Sequence, residues 1–342
     1  MDKYIKGGIS LNNKFNLFYR HLFNGMSFLA PLIITAGILT IITYFFGVDN
    51  DFEGLKGIIF TISKAGMALM IPVISGFIAY SISDKAGLIP GLIGGAFSFV
   101  IGTGFLGGIL SGIICGYFTL WIVKYIKISV KFDGFKFMIL APFLTTLLIG
   151  LLMIYVVDPC VRYIFDSMTV WLEQLSVGNS TLFGVILGVF TAFDIGGPFS
   201  RAAVNVVSTL KSSGILVPQA CVFAVYMTIP LGIALAVAIA KYKYSNEERI
   251  LGKVLWFFGI FGFVDGGIPF IVADPIRVIP AIMIGSAISG GLTALFGCLV
   301  SAQNGGLLAL TTVGSITGVF GLITSVLIGA IVIAVILKYL KK

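Results

Sequence analysis

The stretch from Phe263 to Pro280, FVDGGIPFIVADPIRVIP, lies between two strongly apolar segments. It nevertheless holds two carboxylates (Asp265 and Asp274), the guanidinium of Arg277, the pair Gly266 and Gly267, and three prolines. Glycine and proline weaken or interrupt helices. Irregular backbone at membrane depth is tolerated only where protein or a water-filled cavity satisfies its polar groups. The rest of the chain is therefore expected to form a scaffold that holds this broken segment against a polar solute.

The surroundings carry that expectation. With 58% hydrophobic and 11% charged residues and a mean hydropathy of +1.10, the 342 residues have too little polar surface for a soluble globule. Apolar runs of about 20 residues recur, the length a helix needs to cross a hydrocarbon core of about 30 Å. The polar/apolar alternation of a membrane barrel is missing. The fold class is all-α integral membrane. The net charge of +8 sits at the ends of the apolar runs rather than along one face, which argues against nucleic acid. Cys115, Cys160, Cys221 and Cys298 show no ligand spacing, so no metal site or disulfide framework is expected.

Residues 1–24 carry Lys3, Lys6, Lys14 and Arg20 against Asp2, which by the positive-inside rule places them in the cytoplasm. No short apolar core of a cleavable signal is present there. His21, beside Arg20, reads as an interfacial side chain. A single membrane domain then occupies 25–337, with a cytoplasmic tail at 338–342. Met26–Phe46, Gly57–Ser83 and Phe137–Val157 read as spans. Pro90 and Gly91 read as a turn, and Asp158–Ser180 as an outer segment. Lys124–Lys136 and Lys241–Lys253 read as cytoplasmic loops.

Charge bookkeeping across the membrane leaves two segments, Thr181–Lys211 and Leu255–Pro280, that enter and leave by one side. The expected architecture is about ten transmembrane helical elements with two re-entrant hairpins. The two segments echo each other as FDIGGPF and FVDGGIPF, the kind of repeated broken element that places a binding site near the midplane of many transporters.

A carboxylate inside a membrane costs at least about 2.5 kcal/mol, so Asp194, Asp265 and Asp274 are functional or paired by default. Asp274 and Arg277, three apart, share a helix face and are assigned to a structural ion pair. Asp265 precedes two glycines on irregular backbone and is assigned to substrate, where it can accept hydroxyl hydrogen bonds. Arg201 offers a cation. Asn304, in QNGG, serves a turn or a ligand equally well. No phosphate loop, metal cluster or Ser/His/Asp set is present. The chain offers binding groups and requires no cofactor.

Five stretches together resemble the fructose family of membrane IIC components of the bacterial sugar phosphotransferase system: ISDKAGLIPGLIGG (Ile82–Gly95), GFLGGILSGIICGY (Gly104–Tyr117), FDIGGPFSRAA (Phe193–Ala203), DGGIPFIVADPIRVIP (Asp265–Pro280) and AQNGG (Ala302–Gly306). The resemblance implies a homodimeric subunit of the bacterial inner membrane, with both termini cytoplasmic. Such a subunit binds a fructose-like hexose and passes it for phosphorylation by a IIB protein carrying a phosphocysteine, itself charged by a IIA protein. With no phosphoryl-carrying residue of its own, the chain looks like a stand-alone IIC subunit whose partners are separate polypeptides. Carried over by motif, the substrate-binding residues are Asp194, Gly196, Gly197, Arg201, Asp265, Gly266, Asn304 and Gly305, with Asp265 also catalytic. The chain departs from the family where EGAIPF becomes DGGIPF, PHGG becomes QNGG and GGPVNK becomes GGPFSR. Asn304 can hydrogen-bond a hydroxyl but cannot act as a base. The competing readings are an ion-coupled secondary sugar transporter, using Asp194, Asp265 or Asp274, and a non-transporting sugar receptor.

Overall fold

The computed structural model describes residues 11–45, 54–126, 133–302, 306 and 316–341. Long helices dominate. In chain order they are α1 (Leu11–Phe45), α2 (Gly54–Ala68), α3 (Met70–Ser83), α4 (Lys85–Ile101) and α5 (Gly104–Tyr125). A continuous helix, α6, runs over Asp133–Leu175. Then follow α7 (Ser180–Phe193), α8 (Pro198–Ser212), α9 (Val217–Ile239), α10 (Asn246–Ile260), α11 (Ile268–Ala273), α12 (Pro275–Leu295) and α13 (Val319–Leu340). Among the described residues seven helical segments are long and apolar enough to cross a membrane. Shorter apolar helices include Lys85–Ile101 and Ser180–Phe193.

The helical expectation holds, with local corrections. No turn occurs at Pro90 and Gly91: both lie inside α4, which ends instead at Gly102 in the left-handed conformation. A proline removes one intrahelical hydrogen bond, but dense packing against α3 and α5 keeps α4 together around it. The Phe137–Val157 span and the outer segment after it form one helix. Its 43 residues extend about 65 Å at 1.5 Å per residue, and π-helical turns at Lys136–Leu140 and Met153–Val157 adjust its path. Helix α1 begins at Leu11, well before the apolar run. A two-residue antiparallel ribbon, β1 (Leu299–Val300) with β2 (Ile316–Thr317), interrupts the all-helical pattern.

Burial follows composition. Helix α9 is apolar over nearly all of its surface and is mostly buried from Pro218 to Val237, as expected for a helix without a broad polar face. Around it the largest cluster gathers Leu29 and Ile33 of α1, Ile229 and Ile233 of α9, Phe258 of α10 and Phe270 of α11. The broken segment 263–273 is thus part of the main core.

Two glycine-lined seams bring the helices close. In the first, a Cβ at Gly95 would lie 2.6 Å from Pro72 Cα, and one at Gly112 would lie 2.5 Å from the Ser75 carbonyl oxygen, so α4 and α5 both press on α3. In the second, Gly184 and Gly188 of α7 face Ser286 and Gly290 of α12 backbone to backbone. Small residues at spacings of four allow this approach without any hydrophobic drive between helices in lipid.

Gly188→Ala should lower stability by about 1–3 kcal/mol, because its methyl would collide with the Ser286 carbonyl rather than with a movable side chain. Gly150→Ala, whose methyl would meet its nearest neighbour at 3.8 Å, should leave the unfolding midpoint unchanged or higher. Thermal unfolding of both variants in detergent checks the pair.

Candidate functional site

Helix α10 ends at Ile260, and the chain turns through Gly262, whose φ of +68° favours glycine. It then forms one 3₁₀ turn, Val264–Gly267, before α11. Asp265 sits on that turn and opens onto a cavity of about 720 Å³. The size suits a small-molecule site. Five other walls line it: Thr40 of α1; Ser63, Lys64 and Met67 of α2; Phe165 of α6; Gln219, Val222 and Tyr226 of α9; and the α7–α8 turn with the first face of α8.

That face is built by helical spacing. Arg201, Asn205 and Ser208 stand at i, i+4 and i+7 and all reach the cavity. The opposite face of α8, Ala202, Ala203, Val206 and Val207, is buried against α7 and α9. The cavity thus combines apolar and aromatic walls with hydroxyls, amides, two cations and one carboxylate, which suits a solute rich in hydroxyl groups.

Gly196, Arg201 and Asp265 come together at this cavity, while Asp194, Gly197 and Gly266 do not line it. Asp194 is 2% exposed. Its two carboxylate oxygens accept from the backbone N–H groups of Phe199 at 2.9 Å and Ser200 at 2.8 Å. These are orphan amides of the first turn of α8, so the carboxylate caps the helix that carries Arg201. Asp274 and Arg277 form an ion pair at 3.0 Å, with the aspartate at the start of α12 and away from the cavity. Asn304 and Gly305 lie outside the described residues. The next residue, Gly306, has φ +70° and packs on the backbone of Ile260 and Phe261, at the start of the break that carries Asp265.

The break between α4 and α5 supports the same corner. Gly104 lies so close to the α7–α8 turn that its Cβ would stand 2.6 Å from the Gly197 nitrogen. A side chain at Gly102 would occupy the position of the Arg201 guanidinium. The glycines of this break leave room for the arginine.

Lys64, Asn205 and Ser208 join the site without having been singled out from the sequence. Lys64 was legible as a lysine inside an apolar run, the usual mark of a functional group. Asn205 and Ser208 were legible by spacing from Arg201. Thr40 and Ser63 had no sequence signal; their hydroxyls meet at 2.5 Å across α1 and α2. His21 is outside the cavity and bonds Ser81 through Nδ1 at 2.7 Å. All four cysteines are free, and no group of three metal-ligating side chains occurs among the described residues.

The family "Phosphotransferase system, EIIC" matches residues 23–285. The chain is 37% identical over 336 residues to the PTS system fructose-specific EIIABC component of Bacillus subtilis, covering 96% of this chain and 52% of that protein. It is 40% identical over 327 residues to the PTS system fructose-specific EIIB'BC component of Rhodobacter capsulatus, covering 95% of this chain and 57% of the relative. It is 39% identical over 282 residues to the fructose permease IIC component of Bacillus amyloliquefaciens, covering 82% of this chain and 91% of the relative. The chain thus spans little more than half the length of the first two relatives and nearly the whole of the third.

Asp194→Ala should destabilise the protein by about 0.5–2 kcal/mol, the usual range for a lost helix cap. Asp194→Asn, which keeps one acceptor, should lose less. Thermal unfolding without any ligand measures both.

Proposed function

Because this chain belongs to the EIIC family of the phosphotransferase system, we propose that it is a sugar-translocating membrane subunit. It binds a fructose-like hexose in the cavity beside Asp265 and presents it for phosphorylation by a IIB partner. The observation that carries this reading is the cavity itself. In a chain this apolar, a chamber of about 720 Å³ holds a carboxylate on broken backbone among hydroxyl, amide and aromatic groups. An Asp placed on a 3₁₀ turn rather than a regular helix presents its oxygens to a solute free of competition from the next helical turn. The names of the relatives point to fructose as the first hexose to test.

In the proposed reaction a sugar hydroxyl attacks the phosphorus of the partner's phosphocysteine. A P–O bond forms, the P–S bond breaks, the thiolate leaves with the partner, and the hydroxyl proton passes to Asp265. Such a positioned base contributes about 10²–10⁴-fold. Asp265 carries this task alone, since Asn304 cannot take a proton near neutral pH. Arg201 and Gly196 shape the sugar's binding surface, and Asn304 and Gly305 are assigned to sugar binding by their motif. Gly197 and Gly266 act by letting backbone pass close behind the site. Asp194 acts through its cap on α8, and the Asp274–Arg277 pair holds the segment between α11 and α12 in shape.

The α7–α8 and α10–α12 breaks act as two re-entrant hairpins within about ten membrane elements, with both termini in the cytoplasm and a second copy completing a homodimer. The helix interruptions at 194–197 and 261–267 support this arrangement.

Vesicles containing the protein should accumulate sugar phosphate only when IIB and a phosphoryl donor are supplied. Recovery of unmodified sugar inside, or uptake driven by an ion gradient alone, would reject the reading. Asp265→Asn should slow phosphorylation about 10²-fold or more while sugar binding persists, and Asp265→Glu should retain most of the rate.

A further inference from the structure

Three charged side chains among the described residues line the main cavity: Asp265, Lys64 and Arg201. Two cations face one carboxylate. Lys64 lines the same cavity as Asp265, and its ammonium lies 5.2 Å from the centre of the Phe60 ring. Arg201 makes no ion pair among the described residues. Two carboxylates on neighbouring elements, Asp194 and Asp158, are already engaged. Asp194 gives both oxygens to the backbone of α8. Asp158 shares with Arg201 a second, smaller cavity of about 170 Å³ and is bonded by Arg162 at 2.9 Å.

An unpaired guanidinium inside a membrane protein is expensive and marks a substrate or ion pathway. Here the fold also makes room for it. Gly102, at the left-handed end of α4, carries no side chain where one would displace the guanidinium. The guanidinium therefore occupies space that the backbone of another helix leaves free, and Arg201 is exposed and lines the cavity. A planar fork of N–H donors in that setting fits an oxyanion with two oxygens to offer.

We propose that Arg201 and Lys64 form an anion subsite within the sugar cavity, accepting an oxyanion carried by the solute itself. Two sources share that chemistry: the carboxylate of an acidic sugar entering as substrate, and the phosphoryl group of the sugar phosphate once it is made. The subsite rests on the sugar-binding reading above and narrows the class of solute. Neutral polar groups stand beside it: Asn205 and Ser208 continue the Arg201 face of α8, and Ser63 precedes Lys64.

Titration calorimetry on the purified full chain in detergent, with fructose, glucuronate and fructose 1-phosphate as probes, tests the subsite. At least one anionic probe should bind about ten- to hundredfold more tightly than fructose, as hydrogen bonds to a charged group imply, and added salt should narrow the gap. Preference for glucuronate identifies an acidic substrate, and preference for fructose 1-phosphate identifies a product site. Arg201→Gln and Lys64→Gln should each bring the ratio of anion to fructose affinity towards one, whereas Arg201→Lys should keep most of it. Melting curves of each variant show that it is folded. Fructose binding with no preference for either anion overturns the subsite and leaves the hexose reading standing. Anion binding without fructose binding does the reverse, and binding of none of the three overturns both.

Discussion

Backbone N–H and C=O groups released where a helix breaks at membrane depth must find partners in the protein, because lipid offers none. Every feature around the cavity follows from that requirement. At the α7–α8 break the partner is Asp194, whose two oxygens take the first amides of α8. At the same point the α4–α5 break lays Gly104 directly on Gly197, so two interrupted helices shield each other. At the α10–α11 break a single 3₁₀ turn retains local hydrogen bonding and Gly306 covers the preceding backbone. The polar islands are stable because they are solved in pairs.

Close backbone approach is the means by which the scaffold holds these breaks. Helices surrounded by lipid gain little from hydrophobic contact with one another. The glycines of α3–α5 and the Gly184/Gly188 against Ser286/Gly290 seam replace that missing drive with van der Waals contact along whole helix faces. Arg201 uses the same economy of volume: in this arrangement its guanidinium occupies the space where a side chain at 102 would start.

The charges divide by what surrounds them. Asp194 and the Asp274–Arg277 pair are engaged by the protein and shape it, whereas Asp265, Lys64 and Arg201 face the open chamber. A carboxylate that caps a helix and one that opens onto the cavity are the same residue type in similar motifs, FDIGGPF and FVDGGIPF. Their difference is positional. In the first, the chain folds back so that the next helix donates to the aspartate; in the second, the aspartate stands on the turn itself and projects into the cavity.

The sequence by itself determined that the chain crosses a membrane, that its elements are helices, and that two polar, glycine-containing islands interrupt them, since these depend on composition, run length and residue type alone. It also marked Asp265 and Arg201, because an ionisable group in an apolar run stands out wherever the chain goes. It misread Pro90, which is a helix breaker locally but is held within α4 by α3 and α5, and it split α6 at a charge cluster that a long helix simply carries through. That Lys64 reaches the same cavity as Asp265 and that Gly102 leaves room for Arg201 were decided only in the tertiary structure. Each depends on residues about one hundred to two hundred positions apart, and nothing in local propensity or periodicity encodes which distant backbone will arrive beside a given side chain.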